Sequence, residues 1–224
     1  MLFRSPDTAA FSTMLRGMFQ VGRCATAQKL LNEMQAAGLI LDTQTYGILM
    51  DGLSKNGHVA EALSLFHRME SNGLYVDICI YNILIHGFCK DKKFDAARYL
   101  FSKLSSKGLH PNVRTYTTMI QSFCEEGLLD EAKELFLTME QNGCLPNDIT
   151  YNIVIRGFLA GDKCYEALIL LEEMIRRGFS PDASTFSLVI DLISTKGQDP
   201  DLHEVIKKFI TIDRQGVQKI QLIS

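Results

Sequence analysis

One spacing governs this chain: an aromatic residue recurs every 35 positions, at Phe11, Tyr46, Tyr81, Tyr116, Tyr151 and Phe186. Three further series keep the same step and the same phase. They are Ala27, Ala62, Ala97, Ala132 and Ala167; Gly38, Gly73, Gly108, Gly143 and Gly178; and Met34, Met69, Leu104, Met139 and Met174. Four independent series in one register define a tandem repeat, and a fixed period of roughly 20–50 residues decides the architecture before any local reading does.

The register divides residues 8–182 into five complete units, 8–42, 43–77, 78–112, 113–147 and 148–182. Residues 1–7 close on Ser5-Pro6-Asp7, as the fifth unit closes on Ser180-Pro181-Asp182, and read as the tail of a preceding repeat. The expectation is therefore the C-terminal part of a longer array. Residues 183–210 read as a degenerate sixth repeat or C-terminal cap, with Leu202, Val205, Ile206 and Phe209 at helical spacing, and 211–224 as a C-terminal tail.

Within a unit the apolar residues fall on two helical stripes. Tyr81, Leu84, Ile85 and Phe88 stand at i, i+3, i+4 and i+7, and Tyr116, Met119, Ile120 and Phe123 repeat them. A second stripe follows in each unit, as in Val59, Ala62, Leu63, Phe66 and Met69. The glycine series lies just past the second stripe, where a left-handed C-terminal cap needs a residue without Cβ. Pro111, Pro146 and Pro181 then prevent the helix from continuing. One hairpin of this size cannot bury both stripes, so neighbours must stack into a quasi-one-dimensional solenoid, with first helices on one face and second helices on the other.

Composition narrows the function classes. The chain of 224 residues is 46% hydrophobic and 22% charged, ordinary for a folded protein, and no apolar run reaches the length of a membrane span. Its formal net charge of -3 supplies no overall basic footprint. The six cysteines, Cys24, Cys79, Cys89, Cys124, Cys144 and Cys164, form no C-x-x-C pair and read as small buried hydrophobes in a reducing compartment. The five histidines, His58, His67, His86, His110 and His203, have no metal-ligand spacing, and no nucleophile, phosphate-loop or zinc-hydrolase motif is present. The expectation is no catalytic residue, no metal and no cofactor. Residues 1–7 do not read as a signal or transit segment.

The first-helix sequence Ile80-Tyr81-Asn82-Ile83-Leu84-Ile85-His86-Gly87-Phe88-Cys89-Lys90, the second-helix run Asp130-Glu131-Ala132-Lys133-Glu134-Leu135-Phe136 and the closing Gly-x-x-Pro-Asn/Asp resemble the pentatricopeptide repeat. The 35-residue step and the absence of Trp separate it from the tetratricopeptide repeat, which steps by about 34. The unbroken period is similar to the P class, and the wording to plant restorer-of-fertility-like members. The resemblance implies an all-α, right-handed α-solenoid of tandem helix-turn-helix repeats that binds single-stranded RNA, one base per repeat.

In that family two residues of each unit address a base, the one after the first-helix Tyr and the last of the unit. Here the pairs are Ser12 with Asp42, Gly47 with Asp77, Asn82 with Asn112, Thr117 with Asn147, and Asn152 with Asp182. The resemblance implies guanine, an unread base, a pyrimidine, adenine and uracil in turn, a site near 5′-GNYAU-3′. Base stacking falls to the second residue of each unit, Ala9, Gln44, Cys79, Arg114 and Ile149, of which only Ile149 is the usual aliphatic; Arg114 has a guanidinium plane that stacks on a base. Phosphate contact falls to Lys55 and Lys90, positions that Gln20, Glu125 and Ala160 fill elsewhere. The small polar residues also suit plain helix capping.

By the same resemblance the partners are RNA and a recruited RNA-processing protein, with no small-molecule substrate and no membrane, and the place of action is the mitochondrion ahead of the chloroplast. The other open readings are a protein-binding helical scaffold, and a truncated copy with little RNA binding.

Overall fold

The computed structural model describes residues 8–36, 38 and 40–196. The described residues hold eleven α-helices. Five hairpins come first: α1 (Thr8–Gln20) with α2 (Cys24–Ala36), α3 (Thr43–Lys55) with α4 (Val59–Ser71), α5 (Ile78–Lys90) with α6 (Phe94–Ser106), α7 (Val113–Glu125) with α8 (Leu129–Gln141), and α9 (Asp148–Ala160) with α10 (Cys164–Arg176). A single helix, α11 (Ala183–Lys196), follows. First helices begin at 8, 43, 78, 113, 148 and 183, and second helices at 24, 59, 94, 129 and 164, so the sequence period is the period of the helices. The stretches 1–7 and 197–224, with their expected repeat tail, cap helix and C-terminal tail, lie outside the described residues.

The chain forms two compact bodies, Met1–Met119 and Ile120–Ser224, and α7 runs from one into the other. In the first body α1, α3 and α5 pack side by side, each also packed on its own second helix; in the second, α9 packs on α10 and α11. The aromatic series is the keystone of each core. Tyr46, Tyr81, Tyr116 and Tyr151 are fully buried. A phenylalanine from the preceding second helix meets three of them edge-on, Phe66 on Tyr81, Phe101 on Tyr116 and Phe136 on Tyr151, with ring centroids 5.3–5.4 Å apart. Ala27, Ala62, Ala97, Ala132 and Ala167 are buried as well, where the absence of a longer side chain lets helices come close.

Two turns per unit set the hairpin geometry. The expected cap glycines Gly38, Gly73, Gly108, Gly143 and Gly178 all have φ between +69° and +84°. The turn inside each hairpin also needs the left-handed region, at Gly22, Gly57, Lys92, Gly127 and Asp162. This second series is again 35-periodic. Two units place a residue with a Cβ there, at a cost of about 1 kcal/mol each.

The cysteines differ from expectation. Only Cys89 and Cys164 are buried; Cys24, Cys124 and Cys144 are half-buried and Cys79 is exposed. Cys79 is the second residue of α5, a place in the helix that faces away from the core in every unit, so its surroundings are set by the register and not by the thiol's hydrophobicity.

Candidate nucleic-acid interface

The site is built at the N-termini of the first helices, because the residue that closes one unit caps the first helix of the next. Oδ1 of Asp42, Asp77, Asn112, Asn147 and Asp182 accepts from the backbone N–H of Thr45, Ile80, Thr115, Thr150 and Thr185, at 2.8, 3.0, 3.0, 3.0 and 2.8 Å. Such a cap satisfies one of the orphan N–H groups of a helix start and stabilises it by about 1 kcal/mol. The second helices have no side-chain cap at His58, Lys93, Leu128 or Lys163. The capping therefore also orients the closing side chain: with Oδ1 held, an aspartate presents the acceptor Oδ2 and an asparagine the donor Nδ2.

A threonine series that the sequence reading passed over completes the arrangement. The hydroxyls of Thr45, Thr115 and Thr150 donate to Oδ1 of Asp42, Asn112 and Asn147 at 2.7, 3.0 and 2.9 Å. All are buried, as is Thr185, and their shared phase in the 35-residue period, interrupted by Ile80, was the available signal.

The residues after the tyrosines lie one turn away. Ser12 is 7% exposed, and its hydroxyl is 3.1 Å from that of Thr45. Since the single Thr45 proton points to Asp42, Ser12 donates to Thr45 and keeps its oxygen lone pairs as acceptors. Ser12 and Asp42 are thus coupled through Thr45. In the fifth unit the coupling is direct: the Asp182 backbone N–H donates to Asn152 Oδ1 at 2.9 Å, while Asn152 Nδ2 donates to the Asp148 carbonyl at 2.8 Å. Asn82, only 8% exposed, differs from Asn152, because its Oδ1 is buried with no hydrogen-bond partner. The backbone N–H of Asn112 goes instead to the Thr115 hydroxyl at 3.2 Å. A buried, unpaired amide oxygen costs about 1–3 kcal/mol, so turning Asn82 toward a ligand sacrifices nothing on its acceptor side. Thr117 is half-buried in the first body and Asn147 half-buried in the second.

In the first body an open groove of about 650 Å³ is lined by Gln44, Gly47, Lys55, Cys79, Asn82, Asn112 and Arg114 among others. The five residues expected to stack on bases, Ala9, Gln44, Cys79, Arg114 and Ile149, are all exposed, Ile149 at 57%. Of the expected phosphate ligands, Lys55 is paired with Asp51 at 2.7 Å, and Lys90 Nζ donates to the Lys55 carbonyl at 3.2 Å. His86 sits among them. Screening from water, and then Lys90, push its imidazole below the usual histidine value, with Lys55 and Arg114 adding to the fall and Asp51 opposing it. Arg16, Lys55 and Arg114 against Asp51 leave the groove lining with a cationic excess, although Lys and Arg are outnumbered in the chain as a whole.

Among the described residues no group of three or more His, Cys, Asp or Glu is placed to hold a metal ion, and no helix is long and apolar enough to cross a membrane. The thiol of Cys124, on α7 against Gly157 of α9, is pushed up to about 12 by burial, with Glu125 adding to the shift, and so remains protonated.

These elements define an all-α helical-repeat solenoid in which α3, α5, α7, α9 and α11 each start on a side-chain cap and carry an exposed second residue. The model of the PPR repeat family matches residues 6–55, 76–125, 111–160 and 151–194, and a second PPR repeat model matches 44–74. The chain belongs to the pentatricopeptide repeat family. Its structure is similar to that of the pentatricopeptide repeat protein PPR10 from maize, with a TM-score of 0.74 and 27% identity over 93% of this chain and 30% of that one. PPR10 in complex with an 18-nt psaJ RNA element superposes with a TM-score of 0.73 at 23% identity, over 92% of this chain and 30% of that one. The PPR domain of the Arabidopsis thaliana protein-only RNase P 1, in complex with tRNA, gives 0.67 at 16% identity, over 84% of this chain and 98% of that one. This chain thus spans about 30% of the length of PPR10. A search of curated protein sequences finds no match.

Proposed function

We propose that this chain is a binding scaffold for single-stranded RNA that reads one base per repeat, with the N-terminal unit at the 5′ side and a site near 5′-GNYAU-3′. The observation that carries the reading is the common cap. It occupies Oδ1 and so leaves to the cap's outer atom a donor, Nδ2, where a unit closes on Asn and an acceptor, Oδ2, where it closes on Asp. Ser12 and Asp42 then offer two neighbouring acceptors, complementary to the N1–H and N2–H donors of guanine. Asn82 offers an acceptor and Asn112 a donor, complementary to N4–H and N3 of cytosine. Asn152 has a second amide proton and Asp182 an acceptor, complementary to a carbonyl and N3–H of uracil. Gly47 offers nothing, and its base goes unread. The RNA complexes formed by PPR10 and by the PPR domain of RNase P 1 support the same class of ligand.

Stacking on Arg114 and Ile149 and phosphate attraction by Lys55 and Lys90 complete the mechanism, which is passive. A covered stretch of RNA is shielded from nucleases, or presented to a recruited processing protein. The place of action we propose is the mitochondrion, ahead of the chloroplast. Fluorescence anisotropy with 5′-GUCAU-3′ and a scrambled pentamer tests the reading. Binding should favour the first RNA and weaken with salt, each neutralised phosphate adding about 0.7 to the logarithmic slope. A folded chain that binds neither RNA at low salt refutes it and leaves protein binding as the alternative.

A further inference from the structure

We propose that Arg156 is a positioning residue for base recognition by the fifth repeat, holding the Asp182 carboxylate so that one remaining lone pair of Oδ2 faces the base edge. The inference rests on the RNA reading above. Arg156 Nη1 donates to Asp182 Oδ2 at 2.6 Å and to the Thr185 hydroxyl at 3.1 Å. The other carboxylate oxygen, Oδ1, accepts from the Thr185 N–H at 2.8 Å. A carboxylate anchored at one oxygen can still swing about its Cβ–Cγ bond. One anchored at both oxygens, from α9 on one side and α11 on the other, cannot. Each carboxylate oxygen accepts at two sites, so the Arg156 bond leaves Oδ2 one acceptor direction, now fixed in space.

Among the described residues no other unit has this arrangement. Arg16 stands in the first unit where Arg156 stands in the fifth, 26 residues before the closing aspartate, yet it lines the groove, and Asp42 makes no ion pair among the described residues. Asp51, His86 and Gln121 hold the same place in the second, third and fourth units. The pair is reachable from solvent, with the two side chains 32% and 48% exposed. The Thr185 N–H, and after it Arg156, hold the Asp182 carboxyl below its usual range, so it is a charged acceptor at neutral pH. Orientation matters here because a hydrogen bond weakens steeply as its angle departs from linear.

The test compares the parent chain with Arg156→Gln and Arg156→Lys by anisotropy. The RNAs are 5′-GUCAU-3′, 5′-GUCAC-3′, which changes the fifth base, and 5′-GUAAU-3′, which changes the third. Circular dichroism and a thermal melt check folding, and the Lys variant carries the comparison if the Gln variant does not fold. The expected result is that Arg156→Gln lowers the U-over-C ratio at the fifth base by about tenfold, the worth of one hydrogen bond to a charged group. The C-over-A ratio at the third base stays put. Lys, with the charge but not the planar fork, gives an intermediate ratio. A uniform loss of affinity with the fifth-base ratio unchanged overturns the inference, since Arg156 would then act as a general counter-charge. A sharper ratio in the Gln variant overturns it too, since Arg156 would then mask Asp182. A parent selective at the third base but not at the fifth also overturns the inference while sparing the RNA reading; a parent selective at neither overturns both.

Discussion

Gly47 is the position at which the account can be made to gain a function. It occupies the proposed reader position of the second unit, inside α3, without a side chain to offer a base. A Cβ built there meets only Ile80 Cδ1, at 3.5 Å, which is ordinary van der Waals contact. Gly47→Asn therefore needs no backbone shift, and replacing a mid-helix glycine should raise the stability of α3 by a few tenths of a kcal/mol. With Asp77 closing the unit, the new pair has the residue types of Asn152 and Asp182, and should read uracil. One added hydrogen bond is worth about 0.5–1.5 kcal/mol net, which is roughly two- to twelvefold in affinity. The assay is anisotropy against four RNAs, 5′-GNCAU-3′ with each base at N. The parent should bind all four alike. The variant should favour U by the stated factor and melt no lower than the parent. A variant that melts as expected but binds all four equally refutes the reasoning, because the position would then be open and still not read.

Four further outcomes follow from the same geometry. Asp42→Ala should lose about 1 kcal/mol by urea unfolding, whereas Asp42→Asn should keep the cap and move the first-base preference from guanine toward adenine, which separates capping from reading. Gly157→Ala should destabilise by about 1–3 kcal/mol, since its Cβ would overlap Cβ and Sγ of Cys124, and Cys124→Ala should recover part of that loss in the same unfolding assay. Lys92→Gly should stabilise by about 1 kcal/mol and raise the melting temperature, because Lys92 sits at φ +59°. For His86 the folded value is depressed, so the unfolded chain takes up the proton first: the stability His86 contributes is full above the usual histidine value and is lost as pH falls below it, while RNA affinity should rise as His86⁺ joins Lys55, Lys90 and Arg114. His86→Gln should flatten that rise in anisotropy measured from about pH 7.5 to about pH 5.5.

The period was legible because burial enforces it. A tyrosine at Tyr81 or Tyr151 packs on a phenylalanine of the preceding hairpin, and a displaced ring would break two cores at once. The cap glycines were legible for a local reason, the positive φ that they share. The inner turn was obscured because Lys92 and Asp162 adopt the same backbone as Gly22, Gly57 and Gly127 and so hide the series. The proposed reader positions come from the resemblance to the family, laid on this register, but what each side chain presents comes from neither. Asn82 and Asn152 are the same residue at the same step, yet one amide oxygen is unpaired and the other accepts from Asp182, because the Asn112 N–H has gone to Thr115. The role of Arg156 was hidden for a similar reason: Arg16 matches it in sequence but not in its partner.

The central claim, one base for one pair of side chains, meets its most direct test in Asn152→Thr measured against two RNAs, 5′-GUCAU-3′ and 5′-GUCAG-3′. The substitution sets a hydroxyl beside the Asp182 carboxylate, the chemistry of Ser12 beside Asp42, which is the pair assigned to guanine. The account predicts a crossover, with the parent favouring U and the variant favouring G at the fifth base, at unchanged fold and salt dependence. Equal weakening on both RNAs would contradict it, and would mean that Asn152 supports the helix without reading the base.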